Sequence, residues 1–208
     1  MSGRYLDQFR RPLVVAGVAA VGLISSYAVA VQRPVPDWEL RLTEAINDVP
    51  DWVGSMMYPV MQLGTLAAPI IVAVPIVIFR RDLVLGAAVM VTGVVTWFAA
   101  KGVKKIVERD RPLSYLPEIL VREGDGSGLG YISGHSAVAA SAAIMAMVAL
   151  PRRWRPLAAV IAALVGITRI VHGVHLPADV VGGWSFGVLL GLAGLWLAGL
   201  IPSRRTPS

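Results

Sequence analysis

Three short stretches carry most of the reactive side chains in this 208-residue chain: KKIVERDRP at 104–112, SGH at 133–135 and RIVHGVHLPAD at 169–179. Together they supply Lys104, Arg111 and Arg169, the imidazoles of His135 and His175, and the carboxylate of Asp179. Cations that grip a tetrahedral anion, set beside an imidazole and a carboxylate, are what phosphoryl transfer to a histidine requires. Their surroundings are as apolar as lipid, where an ionisable group is costly and marks a functional site by default.

Lys104 and Arg111 are seven residues apart, about two turns along one helical face, and Pro112 sets Arg111 at the end of the third span. A cation at a helix end can instead simply snorkel to the interface. That reading is taken for Lys101, Lys105 and Arg109; spacing alone does not choose for Lys104 and Arg111. Ser133 is a favoured N-cap for the fourth span, and Gly134 lets backbone approach a ligand closely. The free N–H groups there form an anion site. His135 in the first turn opposes the helix dipole unless an anion is bound nearby. Arg169 closes the fifth span, and Gly173 and Pro177 supply a turn before the sixth. Asp179, four residues after His175, can reach back to one imidazole nitrogen and fix its tautomer. His172 reads as interfacial filler.

A metal site is the competing use of His135, His175 and Asp179, since H-x3-D resembles two ligands on one helical face. Lys104, Arg111 and Arg169 would then converge on a dication. They suit instead a phosphate of charge about −1.5 to −2. The anion reading prevails, with no metal and no cofactor expected.

The elements that must position these groups follow from composition. The chain is 56% hydrophobic and 15% charged, with a mean hydropathy of +0.67; soluble domains carry about 25% charged residues. Uncharged runs at 13–32, 52–79, 83–100 and 180–203 each approach the ~20 residues of a bilayer-spanning helix. Shorter runs at 136–150 and 157–168 reach it only with their flanking motif residues, which places the motifs at the membrane surface or just below. The expectation is an all-α polytopic membrane protein, one domain over residues 1–208 with six transmembrane helices. A short amphipathic helix is expected on the outer surface within 34–50, with Asp37 as N-cap and Trp38, Leu42, Ala45, Ile46 and Val49 at helical spacing.

Orientation follows from charge. Segments 1–12, 80–82, 151–156 and 202–208 hold ten of the 19 Lys and Arg residues but only Asp7 and Asp82 of the 13 acids. Short basic loops stay inside, so both termini are expected in the cytoplasm and all three motifs on the extracytoplasmic face. Arg10-Arg11, the apolar run and Ala28-Val29-Ala30 have the outline of a signal peptide. The run is long for one, and a retained first helix is preferred. The absence of cysteine excludes disulfides and thiol chemistry. A net charge of +6 and a pI near 10.2 would suit nucleic acid, but the arginines follow membrane topology, so no nucleic-acid partner is expected.

The pattern Lys104-x6-Arg111-Pro112, Ser133-Gly134-His135 and Thr168-Arg169-x5-His175-x3-Asp179 resembles the type 2 phosphatidic acid phosphatase superfamily, across roughly residues 55–201. Ile132 stands where that family usually has proline, and Thr168 where it has serine. The resemblance implies that His175 attacks phosphorus and forms a phosphohistidine, with Asp179 holding its ring. It implies that Lys104, Arg111, Arg169, Ser133 and the Gly134 N–H hold the phosphoryl oxygens, and that His135 protonates the leaving oxygen and then activates water. Membrane lipids surround such a site, and an amphiphile with its tail in lipid suits it. The preferred substrate is a polyprenyl diphosphate of undecaprenyl or decaprenyl type. Phosphatidic acid, phosphatidylglycerol phosphate and phosphate transfer to another lipid are the alternatives within enzymes; a lipid transporter is the alternative outside them. Gly124, Gly126, Gly128 and Gly130 suggest that the loop 113–131 is a flexible cover.

Overall fold

The structure, a computed structural model, describes residues 5–9 and 11–200. The expected tail at 202–208, and residues 1–4 and Arg10 of the expected N-terminal segment 1–12, lie outside the described residues. The described chain is all-helical: α1 (Pro12–Ala30), α2 (Asp37–Asn47), α3 (Asp51–Gln62), α4 (Ala67–Arg80), α5 (Leu83–Val107), α6 (Gly134–Ala149), α7 (Arg155–Val171) and α8 (Pro177–Gly199).

Four stretches are long and apolar enough to cross a membrane: α1, α5, α7 with its preceding turn (Arg152–Val171), and α8. This is a multi-pass membrane protein. The uncharged run 52–79 is not one straight helix, because α3 and α4 are bent by 51° at the break between them; counted together they make a fifth span. Gly64 lies at that break, and a Cβ there would sit 2.8 Å from both Cβ and the carbonyl of His135. Thr65 Oγ1 starts the new helix by accepting the N–H of Ala67 at 3.2 Å. The sixth expected span falls short. α6 has 16 residues, about 24 Å of helix against a hydrocarbon thickness of ~30 Å.

α6 is nonetheless the centre of the bundle, buried on nearly every face between α4, α5, α7 and α8. Its alanines and serines admit close neighbours. α8 meets it with Gly183, Gly187 and Gly191, spaced at four residues so that they fall on one face. A Cβ on Gly187 would lie 2.1 Å from the carbonyl oxygen of Ala137, and one on Gly183 2.5 Å from that of Ser133. Backbone cannot move aside as a side-chain tip can, so the two axes are held at the separation that glycine allows.

The helix expected within 34–50 forms as α2, and its buried side is polar. Glu39, Thr43 and Asn47 make the buried stripe, while Trp38 and Leu42 point outward. Asp37 is the first helical residue rather than the cap, which is Pro36. Polar groups face inward because they have partners there: Asn47 bonds both backbone groups of Leu120, at 2.9 Å each, and the carbonyl of Val171 at 3.0 Å.

Gly187→Val should lower the thermal midpoint in detergent, by an amount matching the ~1–3 kcal/mol of an overpacked core. Gly17→Val, at a position with nothing within 4 Å, should leave the midpoint unchanged. Equal effects from the two substitutions would contradict the close α6–α8 contact.

Candidate active site

The C-terminal ends of α5 and α7 and the N-terminal ends of α6 and α8 meet at one end of the bundle. A cavity of about 390 Å³ opens there, walled by Lys104, Arg111, Gly134, His135, Arg169 and His175, with Trp97, Ala100, Lys101, Lys105 and Leu129. Six of the eight sequence-derived candidates thus share one wall, and Ser133 and Asp179 stand behind it.

Lys104 is fixed by the loop opposite, its Nζ donating to the carbonyls of Leu129 and Gly130 at 2.7 Å each. Arg111 does not share a helix with it. α5 stops at Val107, Glu108 takes the left-handed conformation (φ 49°), and the chain runs on extended to Arg111. The backbone N–H of Arg111 then bonds the carbonyl of Gly128 at 3.2 Å. Lys104 and Arg111 reach one cavity through a reversal of the chain, not through helical periodicity.

Ser133 caps α6 as expected from its type. It is fully buried, and its hydroxyl oxygen accepts from the Ser136 N–H at 3.4 Å and the Ser136 hydroxyl at 2.9 Å. That leaves Gly134 to present the helix N-terminus to the cavity. His135 follows on the first turn, edge-on to Trp97 with ring centroids 5.7 Å apart.

α7 ends because Gly173 adopts φ +70°, where a Cβ would also strike the Leu120 carbonyl at 2.5 Å. His175 follows in the turn, 2% exposed. Its Nδ1 lies 3.2 Å from Oδ2 of Asp179, which also accepts the Leu176 N–H at 3.0 Å. With Nδ1 so engaged, Nε2 is the nitrogen left for the cavity. Burial, and then the charges of Lys104, Arg169 and Arg111, hold the His175 pKa well below the usual imidazole value. The ring is therefore neutral at pH 7 and keeps a lone pair. His172 is buried core rather than interfacial filler, its Nδ1 lying 2.7 Å from the Thr168 carbonyl.

Arg169 pairs with Glu123 and donates to the sulfur of Met61 at 2.7 Å. The Nε atoms of Arg111 and Arg169 are buried without a hydrogen-bond partner. A buried donor left unpaired costs about 1–3 kcal/mol, so two of them beside one cavity favour an anion there. Glu123 shows that the loop 113–131 is no loose cover. Besides the Glu123–Arg169 pair, Arg122 donates to the carbonyls of Asn47 at 3.0 Å and of Val49 and Val171 at 2.7 Å each.

Two residues escaped the sequence reading. Arg109, read as a snorkelling cation, is fully buried. Its guanidinium pairs with Glu39 of α2 and donates to Oδ1 of Asp179 at 3.0 Å. The carboxylates more than offset the cost of burying it and raise its pKa above the ordinary arginine value. No spacing rule joins positions 39, 109 and 179, and Glu39 in the first turn of α2 is an ordinary place for an acid.

A family model described as the PAP2 superfamily matches residues 82–201, more than half of the chain. Over 130 residues the chain is 24% identical to an undecaprenyl-diphosphatase of Sulfolobus acidocaldarius, covering 62% of this chain and 63% of that protein's length. Its fold is similar to the crystal structure of the first transmembrane PAP2 type phosphatidylglycerolphosphate phosphatase from Bacillus subtilis. The TM-score is 0.73 at 23% identity, covering 95% of this chain and all of that one. It is also similar to Aquifex aeolicus LpxE, with a TM-score of 0.67 at 21% identity over 75% of this chain and 93% of that one.

A depressed pKa leaves the neutral ring available below the usual imidazole range of ~6.5. For an activity that uses this lone pair, kcat/KM should hold as pH falls through 6.5 and drop only in more acid solution. An acid limb at or above 6.5 in the pH–rate profile would contradict the depressed value.

Proposed function

We propose that this chain, which belongs to the PAP2 superfamily and is a phosphoric ester hydrolase of the membrane, removes one phosphate from a polyprenyl diphosphate of undecaprenyl or decaprenyl type. On this reading Nε2 of His175 attacks the terminal phosphorus in line. The P–O bond to the leaving monophosphate breaks, and its electron pair leaves with that oxygen. The resulting phosphohistidine carries a ring charge that Asp179 offsets. Lys104, Arg111, Arg169 and the Gly134 N–H hold the phosphoryl oxygens as charge develops on them. Ser133 contributes by holding the start of α6. His135 gives its proton to the leaving oxygen, then takes one from the water that cleaves the P–N bond.

One observation favours a diphosphate. All three lysines of the chain wall the cavity, together with Arg111 and Arg169. Five cations exceed what one phosphate of about −2 balances. Lys101 and Lys105 are exposed at the mouth, where a second phosphate would lie. The partial match to an undecaprenyl-diphosphatase agrees. Phosphate release from polyprenyl diphosphate, phosphatidate and phosphatidylglycerol phosphate should be compared in detergent. The prenyl substrate should be preferred, and Lys101→Ala/Lys105→Ala should erode that preference while sparing the monoesters. Equal rates on all three lipids would reject the diphosphate reading.

The same reading places the cavity on the extracytoplasmic face, with six crossings in which the short α6 is completed by the motif residues before it. Both termini are then cytoplasmic. Because the chain has no cysteine, single cysteines report topology directly. Ser127→Cys should react with an impermeant maleimide in intact cells, and Arg153→Cys only after lysis; the reverse pattern would invert the orientation.

A further inference from the structure

The polar face of α2 carries a fully buried carboxylate that no motif includes and that lies outside the matched residues 82–201. Glu39 receives Arg109 through both oxygens, Nη1 to Oε1 at 3.2 Å and Nη2 to Oε2, and its Oε1 also accepts the N–H of Ala178 at 2.8 Å. Arg109 Nη1 is shared with Asp179 Oδ1 at 3.0 Å. None of the three side chains is exposed at all.

We propose that Glu39 is a positioning residue for His175, acting through Arg109 and Asp179 to keep one unspent negative charge behind the ring. Two carboxylates against one guanidinium leave the set with a net charge of −1. When His175 takes a phosphoryl group its ring becomes cationic, and that charge is met by the set. Without Glu39, Arg109 and Asp179 would form a neutral pair, and the ring charge would face a set with no net negative charge.

Geometry supports the same role. An arginine with one carboxylate partner prefers a two-pronged pairing that uses both carboxylate oxygens. Glu39 takes that pairing, so Asp179 spends only Oδ1 on Arg109 and keeps Oδ2 for His175 and the Leu176 N–H. The Ala178 contact fixes the turn of α8 from which Asp179 projects. Once Arg109 is buried its carboxylates are needed, but stability is a weak reason to bury the set at all, since apolar packing in place of a buried ion pair is often neutral or stabilising.

The proposal rests on His175 as nucleophile but not on the substrate class, so it is tested with whichever lipid phosphate the full-length protein hydrolyses. Glu39→Gln keeps the shape and removes the charge. It should lower kcat by about tenfold or more, about 1.4 kcal/mol of transition-state stabilisation, with KM unchanged. Glu39→Asp, which keeps the charge, should stay near wild type. The double variant Glu39→Gln/Arg109→Gln restores the net charge of −1 and should recover most of the lost kcat. A double variant no faster than Glu39→Gln, or a loss in KM alone, would overturn the proposal. Should Glu39→Gln not fold, the double variant decides by itself: folded and inactive, it overturns the idea. His175→Ala must be inactive throughout; turnover there would defeat the nucleophile assignment instead, independently of Glu39.

Discussion

Arg109 is a full positive charge placed where no solvent reaches, and the polar end of the bundle is arranged around it. An unpaired cation there would cost several kcal/mol even after relaxation. Three segments distant in sequence therefore converge: Glu39 from α2, Asp179 from the first turn of α8, and the loop before α6, whose Gly130 N–H bonds the Arg109 carbonyl at 2.6 Å. The early stop of α5 at Glu108 turns Arg109 inward and leaves Arg111 to the cavity. A Cβ on Gly130 would meet Oδ2 of Asp179 at 2.7 Å, so the loop backbone also closes over the carboxylate.

Below this layer polar bonds between the described helices are sparse, such as Trp184 Nε1 to the Ala162 carbonyl at 2.9 Å and Arg80 to the Ala149 carbonyl at 2.6 Å. In lipid the helices gain little from hiding apolar surface, and association depends on close van der Waals contact. α6 and α8 meet that requirement with alanine, serine and glycine. Their contact also sets the distance between the two ends that matter, Gly134 and His135 on one helix and Asp179 on the other. The Ser133 N–H bonds the Asp179 carbonyl at 2.9 Å, linking the two helix starts directly. Packing in the apolar interior and geometry at the cavity are thus one constraint.

Much of this was legible in the sequence, and what was not has a common cause. Charge-free runs reveal apolar helices, and His175, Gly173, Pro177 and Asp179 reveal a turn into a helix because their effects are local. The bend at Gly64 was hidden, since an unbroken apolar run carries no mark of where tertiary contact will interrupt it. Arg109 was misread because its partners lie 70 residues away on either side. In α2 the stripe of Glu39, Thr43 and Asn47 turns inward because Glu39 and Asn47 find partners at Arg109, Leu120 and Val171, far along the chain. The loop 113–131 looked loose from its glycines, yet Arg122 and Glu123 tie it to α2 and α7.

The placement of the cations bears on the direction of the reaction. Like charges around one cavity repel, and the structure holds three of the five by groups of their own: Lys104 by two carbonyls, Arg169 by Glu123, and Lys101 over the rings of Trp97 and Phe98 at 5.3 and 5.7 Å. His175 and Arg169 are buried, while Lys101 and Lys105 are exposed. In-line displacement puts the leaving group opposite the nucleophile. On the proposed mechanism, with His175 buried and Lys101 and Lys105 exposed, the leaving group would depart toward those two lysines. An alkoxide leaving there would depend on a proton from His135. A phosphate leaving there would be stabilised by the lysines themselves, which is why their position bears on substrate class more strongly than the number of cations does.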